Sequence, residues 1–343
     1  MLILDGSEGE GGGQILRTAL SLSALTGVPF TLKNIRSNRK QPGLKAQHLT
    51  AVTAMQQICR ANVQGATLNS PEVIFIPQKI QPGNYHWDIG TAGATTLLLQ
   101  TVAYPLSFSK STSSITITGG THVPWSPTFD FLEKHWLLFM RRLGFEFSLK
   151  LVQAGFFPQG GGKIIGNIQP FQTRENFICI KRGILHKIQA LSAVSNLDIE
   201  IARRQAHQGQ RRLEQQGLSV ETKIETMKAP SPGTTYLLLA EFENSQVCYF
   251  SLGARGKPAE QVANETVDTF LNFMTKAAAI DEHLADQLLL PLALTGKAAH
   301  FTIHKITSHF LTNIKVIQAF KKIEIVVNSQ PDQTGEVFMK PVE

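Results

Sequence analysis

The sequence predicts an α+β fold of repeated units, each laying helices on one face of a sheet. Two observations carry this. Glycine loop, apolar helix, short turn and strand recur in that order along the chain. The texture then changes over roughly residues 177–250, which suggests an inserted second domain. Low identity between the recurring stretches leaves an ordinary α/β alternation without duplication open. The length of 343 residues suits two domains, and 42% hydrophobic residues suffice for real cores.

In the first unit, apolar residues at Ile15, Leu16, Ala19, Leu20, Leu22 and Leu25 have helical spacing, with Gly27 as C-cap. Residues 28–35 read as a strand, and Pro42 suits the first turn of a second helix through Leu44, His48, Val52 and Met55. In the next unit, Gly90-Thr91-Ala92-Gly93-Ala94 leads into an apolar helix over 95–106 and an alternating strand over 114–118. Residues 129–143 form a further helix stopped by Gly144, followed by a strand over 145–152. Beyond that, 178–191 reads as one strand and 199–216 as a polar helix carrying Arg203, Arg204, Arg211 and Arg212. A turn at 229–233 precedes a strand pair over 235–242 and 247–252. Helical pattern resumes over 259–278 and 284–294, and a last unit spans 311–327.

Composition excludes several classes. Lys and Arg number 33 against 26 Asp and Glu, a net charge of +7 that modestly favours a phosphate-rich partner. Three separated cysteines, Cys59, Cys179 and Cys248, form no C-x-x-C pair, which excludes a disulfide scaffold and a zinc site of that kind. There is no leader pattern and no run of transmembrane length, so the expectation is a soluble, cytoplasmic protein with no membrane partner.

The most informative segment is Asp5-Gly6-Ser7-Glu8-Gly9-Glu10-Gly11-Gly12-Gly13-Gln14-Ile15-Leu16-Arg17. Free N–H groups at a helix start favour anions, and glutamates in the same loop suit a hard cation. Together they suggest a nucleotide or other phosphate ester, although the loop is neither a Walker A motif nor a good dinucleotide fingerprint. Arg36, Arg39, Lys40 and Lys45 flank Pro42 at a loop-to-helix junction, a setting that fits either phosphate contact or a solvated turn. The cluster Phe157-Pro158-Gln159-Gly160-Gly161-Gly162-Lys163 fits a tight bend or a second phosphate-facing loop. The C-terminal third holds His283, Asp286, His300, His304 and His309 without metal-ligand spacing.

Taken together, these motifs resemble the RNA 3′-terminal phosphate cyclase family. The resemblance runs in order from Asp5–Arg17 through Ile35-Arg36, Arg39 and Pro42-Gly43-Leu44-Lys45-Ala46-Gln47-His48, then Gly90–Gly93 and Gly155–Gly162. It continues through Leu284-Ala285-Asp286-Gln287-Leu288 and Ser308-His309-Phe310-Leu311-Thr312-Asn313-Ile314. It implies units of two helices on a four-stranded sheet, as in enolpyruvyl transferases, forming a large domain over 1–176 and 276–343 with a smaller α/β insert over 177–275. The implied activity is that of a phosphoric-ester-forming ligase: ATP-dependent conversion of an RNA 3′-phosphate to a 2′,3′-cyclic phosphate. It runs through a covalent histidine–AMP and an adenylylated RNA end.

The resemblance places the nucleophile at His309 and a Mg²⁺ or Mn²⁺ ligand at Glu10. It puts Arg17, Gln100, Pro127, His283, Asp286 and Gln287 on the ATP side, and Arg36, Arg39, Gln47 and His48 at the RNA end. Asp286 either orients the imidazole or binds the ribose. Pro127 and His283 flank the adenine; familiar members often have tyrosine where His283 stands. The expected partners are RNA carrying a 3′-phosphate and ATP, with a homodimer admitted. Two other classes, a catalytically silent RNA-binding relative and an enolpyruvyl transferase, would have no need of His309.

Overall fold

The computed structural model describes residues 1–9 and 12–342. The Glu10 assignment therefore lies outside the described residues.

The first unit runs β1 (Leu2–Asp5), α1 (Gln14–Thr26), β2 (Phe30–Lys33), α2 (Ala46–Cys59), β3 (Asn62–Gln64), β4 (Val73–Ile76). Its sheet has the order β1-β2-β4-β3, with β1 and β2 parallel and the other pairs antiparallel. The second runs β5 (Asn84–Asp88), α3 (Thr95–Ser107), β6 (Ser113–Gly119), a composite helix, β7 (Phe147–Gln153), β8 (Gly162–Ile168). It repeats the order as β5-β6-β8-β7. The composite helix comprises α4 (Phe129–Phe131), a π-helical turn (Leu132–Trp136) and α5 (Leu137–Leu143).

The third unit has the same plan but is split. Strand β9 (Phe177–Cys179) pairs in parallel with β14 (Ala299–Ile303), 122 residues later by register. Between them lie β10 (Leu185–Ser195), α6 (Ile199–Glu214), β11 (Glu221–Thr226), β12 (Gly233–Phe242), β13 (Gln246–Leu252) and α7 (Ala259–Met274). These strands make their own sheet, β11-β10-β12-β13. The unit then resumes with α8 (Glu282–Thr295), β14, α9 (Ser308–Phe320), β15 (Ile323–Asn328) and β16 (Gly335–Pro341), giving the order β15-β16-β14-β9. Three sheets of one topology, each carrying two helical segments, settle the question of repetition that sequence identity left open.

Two expectations need correction. Residues 178–191 are not one strand: β9 and β10 are separate and belong to different sheets, because the chain turns at Gly183, whose φ is +79°. Pro42 is not in the first turn of α2, which begins at Ala46 after the extended Lys45. Gly43, at φ +77°, instead presses the loop against Asn69, whose carbonyl oxygen would lie 2.2 Å from an added Cβ. The glycine cluster at 155–162 is a site of backbone approach: a Cβ on Gly155 would meet the Gly162 nitrogen at 2.4 Å. No helix of the described residues is long and apolar enough to cross a membrane.

Helix α1 sits at the centre of the large core. Ile15, Leu16, Ala19, Leu20 and Leu22 are buried, and Gly27 ends the helix in the left-handed region. The helix packs against α3 on one side and α9 on the other. Buried hydroxyls fix its position: Ser21 Oγ donates to the Thr101 carbonyl on α3, and Thr18 Oγ1 donates to Asn313 Oδ1 on α9 at 2.9 Å. The start of α1 and the start of α9 are thereby brought together. The insert has a second core, in which Ile188, Ala190, Tyr236 and Leu238 face Val262, Val267 and Phe270.

Candidate active site

His309 is the second residue of α9, whose start is capped by Thr307 Oγ1 accepting from the Phe310 N–H at 3.0 Å. Its ring is partly exposed. His309 Nδ1 lies 2.9 Å from Asp286 Oδ2, on α8. The other carboxylate oxygen, Asp286 Oδ1, accepts from Gln14 Nε2 at 2.8 Å and from Asn313 Nδ2 at 3.4 Å. Asn313 Nδ2 also reaches the Asp286 carbonyl, and its own Oδ1 is held by Thr18. The Asp286 carboxylate thus stands between the imidazole on α9 and the side chains of Gln14 on α1 and Asn313 on α9. A proton on Nδ1, the nitrogen that faces Asp286, leaves the lone pair on Nε2.

The glycine loop lies across this group. Gly9 has φ +59°, and a Cβ there would stand 2.1 Å from Thr312 Oγ1 on α9. Gly13 caps α1 with no side-chain acceptor, and the first turn holds no acidic residue, so its N–H groups favour an anion. A Cβ on Gly13 would lie 2.3 Å from His48 Nε2 and 2.9 Å from Arg17 Nη1; both side chains close on the backbone where only glycine fits. Arg39 Nη2 approaches Gly12 from the other side. Glu8 makes a loose pair with Lys315 at 3.8 Å.

Positive charge is concentrated here, on half-buried Arg17, Arg36 and Lys45 and on exposed Arg39. Burial pushes the Arg17 guanidinium down to about 10, against the opposing pull of Asp286, so it stays cationic at neutral pH. Burial, and then the charges of Arg17, Arg36 and Lys45, push the His48 imidazole down to about 3. His48 is therefore neutral. Its Nδ1 accepts from the Lys45 N–H at 3.3 Å, which leaves the proton on Nε2 as a donor on the Gly13 side. Burial and then repulsion from Arg39 lower Arg36 as well. Arg36 adopts φ +54° and holds its loop by donating to the carbonyls of Gln41 and Gly43. Crowded cations around the start of a helix suit a polyanion.

The family model for RNA 3′-terminal phosphate cyclase matches residues 8–327. The chain belongs to the RNA 3′-terminal phosphate cyclase family. It is 39% identical over 337 residues to the RNA 3′-terminal phosphate cyclase of Pyrococcus furiosus, covering 98% of each chain. It is 40% identical over 335 residues to that of Nostoc punctiforme, covering 96% of each. The protein of the same name from Ralstonia nicotianae is 41% identical over 330 residues, covering 96% of this chain and 94% of its own.

The remaining family positions form an adjoining group. Gln100, on α3, donates from Nε2 to Gln287 Oε1 at 2.6 Å, and Gln287 Nε2 donates to the His283 carbonyl at 3.1 Å. One turn earlier on α3, Thr96 Oγ1 donates to the Pro127 carbonyl at 2.8 Å. His283 is exposed at the start of α8, and Gln47 Oε1 accepts from the Ala94 N–H at 2.7 Å, tying α2 to the 90–94 loop. Gln14 and Asn313 were within the recognised motifs but carried no assigned role. Asp281 and His135 were missed entirely. Asp281 is buried, caps α8 at the N–H groups of His283 and Leu284, and receives His135 Nε2 at 3.1 Å. Burial raises its carboxyl, but the His135 hydrogen bond and charge outweigh this and leave it below the usual carboxylate range. Residues 146 apart carry no local signal of such a pairing.

Proposed function

We propose that the chain converts an RNA 3′-terminal phosphate to a 2′,3′-cyclic phosphate, consuming ATP through a His309–AMP intermediate. The observation that carries this is the 2.9 Å contact between His309 Nδ1 and Asp286 Oδ2 beneath an anion-favouring loop. It supports the orienting role for Asp286. In the first step Nε2 attacks the α-phosphorus of ATP, an N–P bond forms, and pyrophosphate leaves. Asp286 steadies the positive charge that grows on the ring. In the second, an RNA 3′-phosphate oxygen attacks the same phosphorus and the N–P bond breaks. In the third, the vicinal 2′-hydroxyl attacks the RNA phosphorus, AMP departs, and the hydroxyl proton is released.

Arg17, Arg36, Arg39, Gln47 and the Nε2–H of His48 serve the phosphates and RNA end; Gln100, Gln287, Pro127 and His283 serve the nucleotide. Mg²⁺ or Mn²⁺ held by Glu10 and ATP phosphate oxygens would neutralise charge on the pyrophosphate. Of the described acidic residues in the loop, Asp5 accepts from Ser7 and Asn34 and Glu8 pairs loosely with Lys315, so the proposed metal role falls to Glu10. The activity belongs in the cytoplasm, where both substrates occur.

The test uses ATP labelled at the α-phosphate. An acid-labile, base-stable protein–AMP adduct is expected, and His309→Asn abolishes it; an unaltered adduct in that variant removes His309 as nucleophile. RNA ending in 3′-phosphate should become phosphatase-resistant. No adduct and no resistance would favour a silent RNA-binding relative.

A further inference from the structure

Trp125 is 99% exposed, while Trp87 and Trp136 are buried. A large indole left wholly in water forgoes the burial that ordinarily places tryptophan inside. Its backbone is also in the left-handed region, at φ +65°, which bulky side chains rarely adopt. The exposure does not come from a slack loop. Val123 is buried, Ser126 Oγ donates to the Val123 carbonyl at 3.0 Å, and Thr96 Oγ1 holds Pro127. Below the tip, Phe129 N–H donates to the Thr121 carbonyl and Thr121 N–H to that of Gly155. A loop fixed at both ends presents one aromatic ring to solvent.

The ring's position relative to the active site follows from the contacts. Pro127 is fastened to Thr96; Gln100, about 6 Å further along α3, reaches Gln287, the neighbour of Asp286. The loop that carries Trp125 therefore adjoins the residues proposed to serve the nucleotide. The cationic residues around Gly13 recognise phosphate and none of them offers a base a flat apolar surface. We infer that Trp125 is a stacking platform for a nucleobase at the 3′ end of the RNA. This rests on the proposal that RNA is the substrate. An RNA base fits better than the adenine of ATP. Small ligands occupy concave pockets that enclose them, whereas single strands lie on open grooves with exposed rings.

The experiment compares the full chain with Trp125→Ala and Trp125→Phe on two RNAs, both ending in 3′-phosphate, one with an abasic terminal residue. Trp125→Ala should raise KM for the intact RNA about 5- to 150-fold, the loss of one base–aromatic stack, and Trp125→Phe by less than about threefold. KM for ATP in adduct formation without RNA should move by less than about twofold, and the abasic RNA should not distinguish Trp125→Ala from wild type. Because the other two tryptophans are buried, RNA should quench the exposed-tryptophan emission at equilibrium and ATP should not. An unchanged KM for RNA, a rise in KM for ATP instead, or an equal loss on abasic RNA overturns the platform. Quenching without any cyclisation would sink the cyclase proposal while leaving the platform standing; cyclisation without quenching would do the reverse.

Discussion

Replacing Asp286 by asparagine removes a charge while preserving shape, and the surrounding donors determine which way the new amide points. Oδ1 of Asp286 faces Gln14 Nε2 at 2.8 Å and Asn313 Nδ2 at 3.4 Å, whereas Oδ2, among the described residues, faces His309. The amide oxygen will turn to the two donors, and its NH₂ will face His309 Nδ1. That nitrogen must then accept, the ring proton moves to Nε2, and the nucleophilic lone pair is lost. Forcing the wrong tautomer on a catalytic histidine costs about 10³- to 10⁴-fold, or roughly 4–5.5 kcal/mol of barrier. Stability should fall only by about 1–3 kcal/mol, the cost of charge-assisted hydrogen bonds. Single-turnover adduct formation with labelled ATP measures the first quantity, and denaturant unfolding the second. The double variant Gln14→Glu/Asp286→Asn supplies an acceptor for the amide NH₂, turns its oxygen back to His309, and should recover at least about tenfold, or 1.4 kcal/mol. Adduct formation by Asp286→Asn within about tenfold of wild type would refute the tautomer account.

Three further outcomes follow from named contacts. His48 is held near pKa 3 when folded, so below the unfolded value near 6.5 the unfolded chain binds the extra proton. Stability should therefore rise with pH between those values, by up to about 1.4 kcal/mol per unit, and His48→Gln should flatten that part of a pH–unfolding profile. His135→Ala strands the buried Asp281 carboxylate and should cost about 3–5 kcal/mol in denaturant unfolding. Gly155→Ala drives a Cβ to within 2.5 Å of backbone atoms on two sides and should destabilise by about 1–3 kcal/mol, whereas Gly12→Ala, with Arg39 at 3.7 Å, should leave the unfolding midpoint nearly unchanged.

Local chemistry was legible where one segment determined it. Helix α1 and its Gly27 cap were readable from apolar spacing, and the family motifs directed attention to His309 and Asp286. Pro42 misled because the helix-favouring ring is overruled by Gly43 packing on Asn69. The 178–191 strand misled because apolar residues on both sides of Gly183 serve two different sheets. Gln14 and Asn313 reveal their function only once α1, α8 and α9 have met. Trp125 belongs to none of the sequence motifs, and its exposure shows only in the fold.

The split of the third unit has a consequence for synthesis on the ribosome. Strand β9 emerges early but finds its partner β14 only after the whole insert has followed, and Gln14 waits 272 residues for Asp286. Such distant closures are slow to form and leave sheet edges open meanwhile. A nascent chain carries the glycine loop before Asp286 and His309 have been made, so the proposed histidine chemistry waits for α8 and α9.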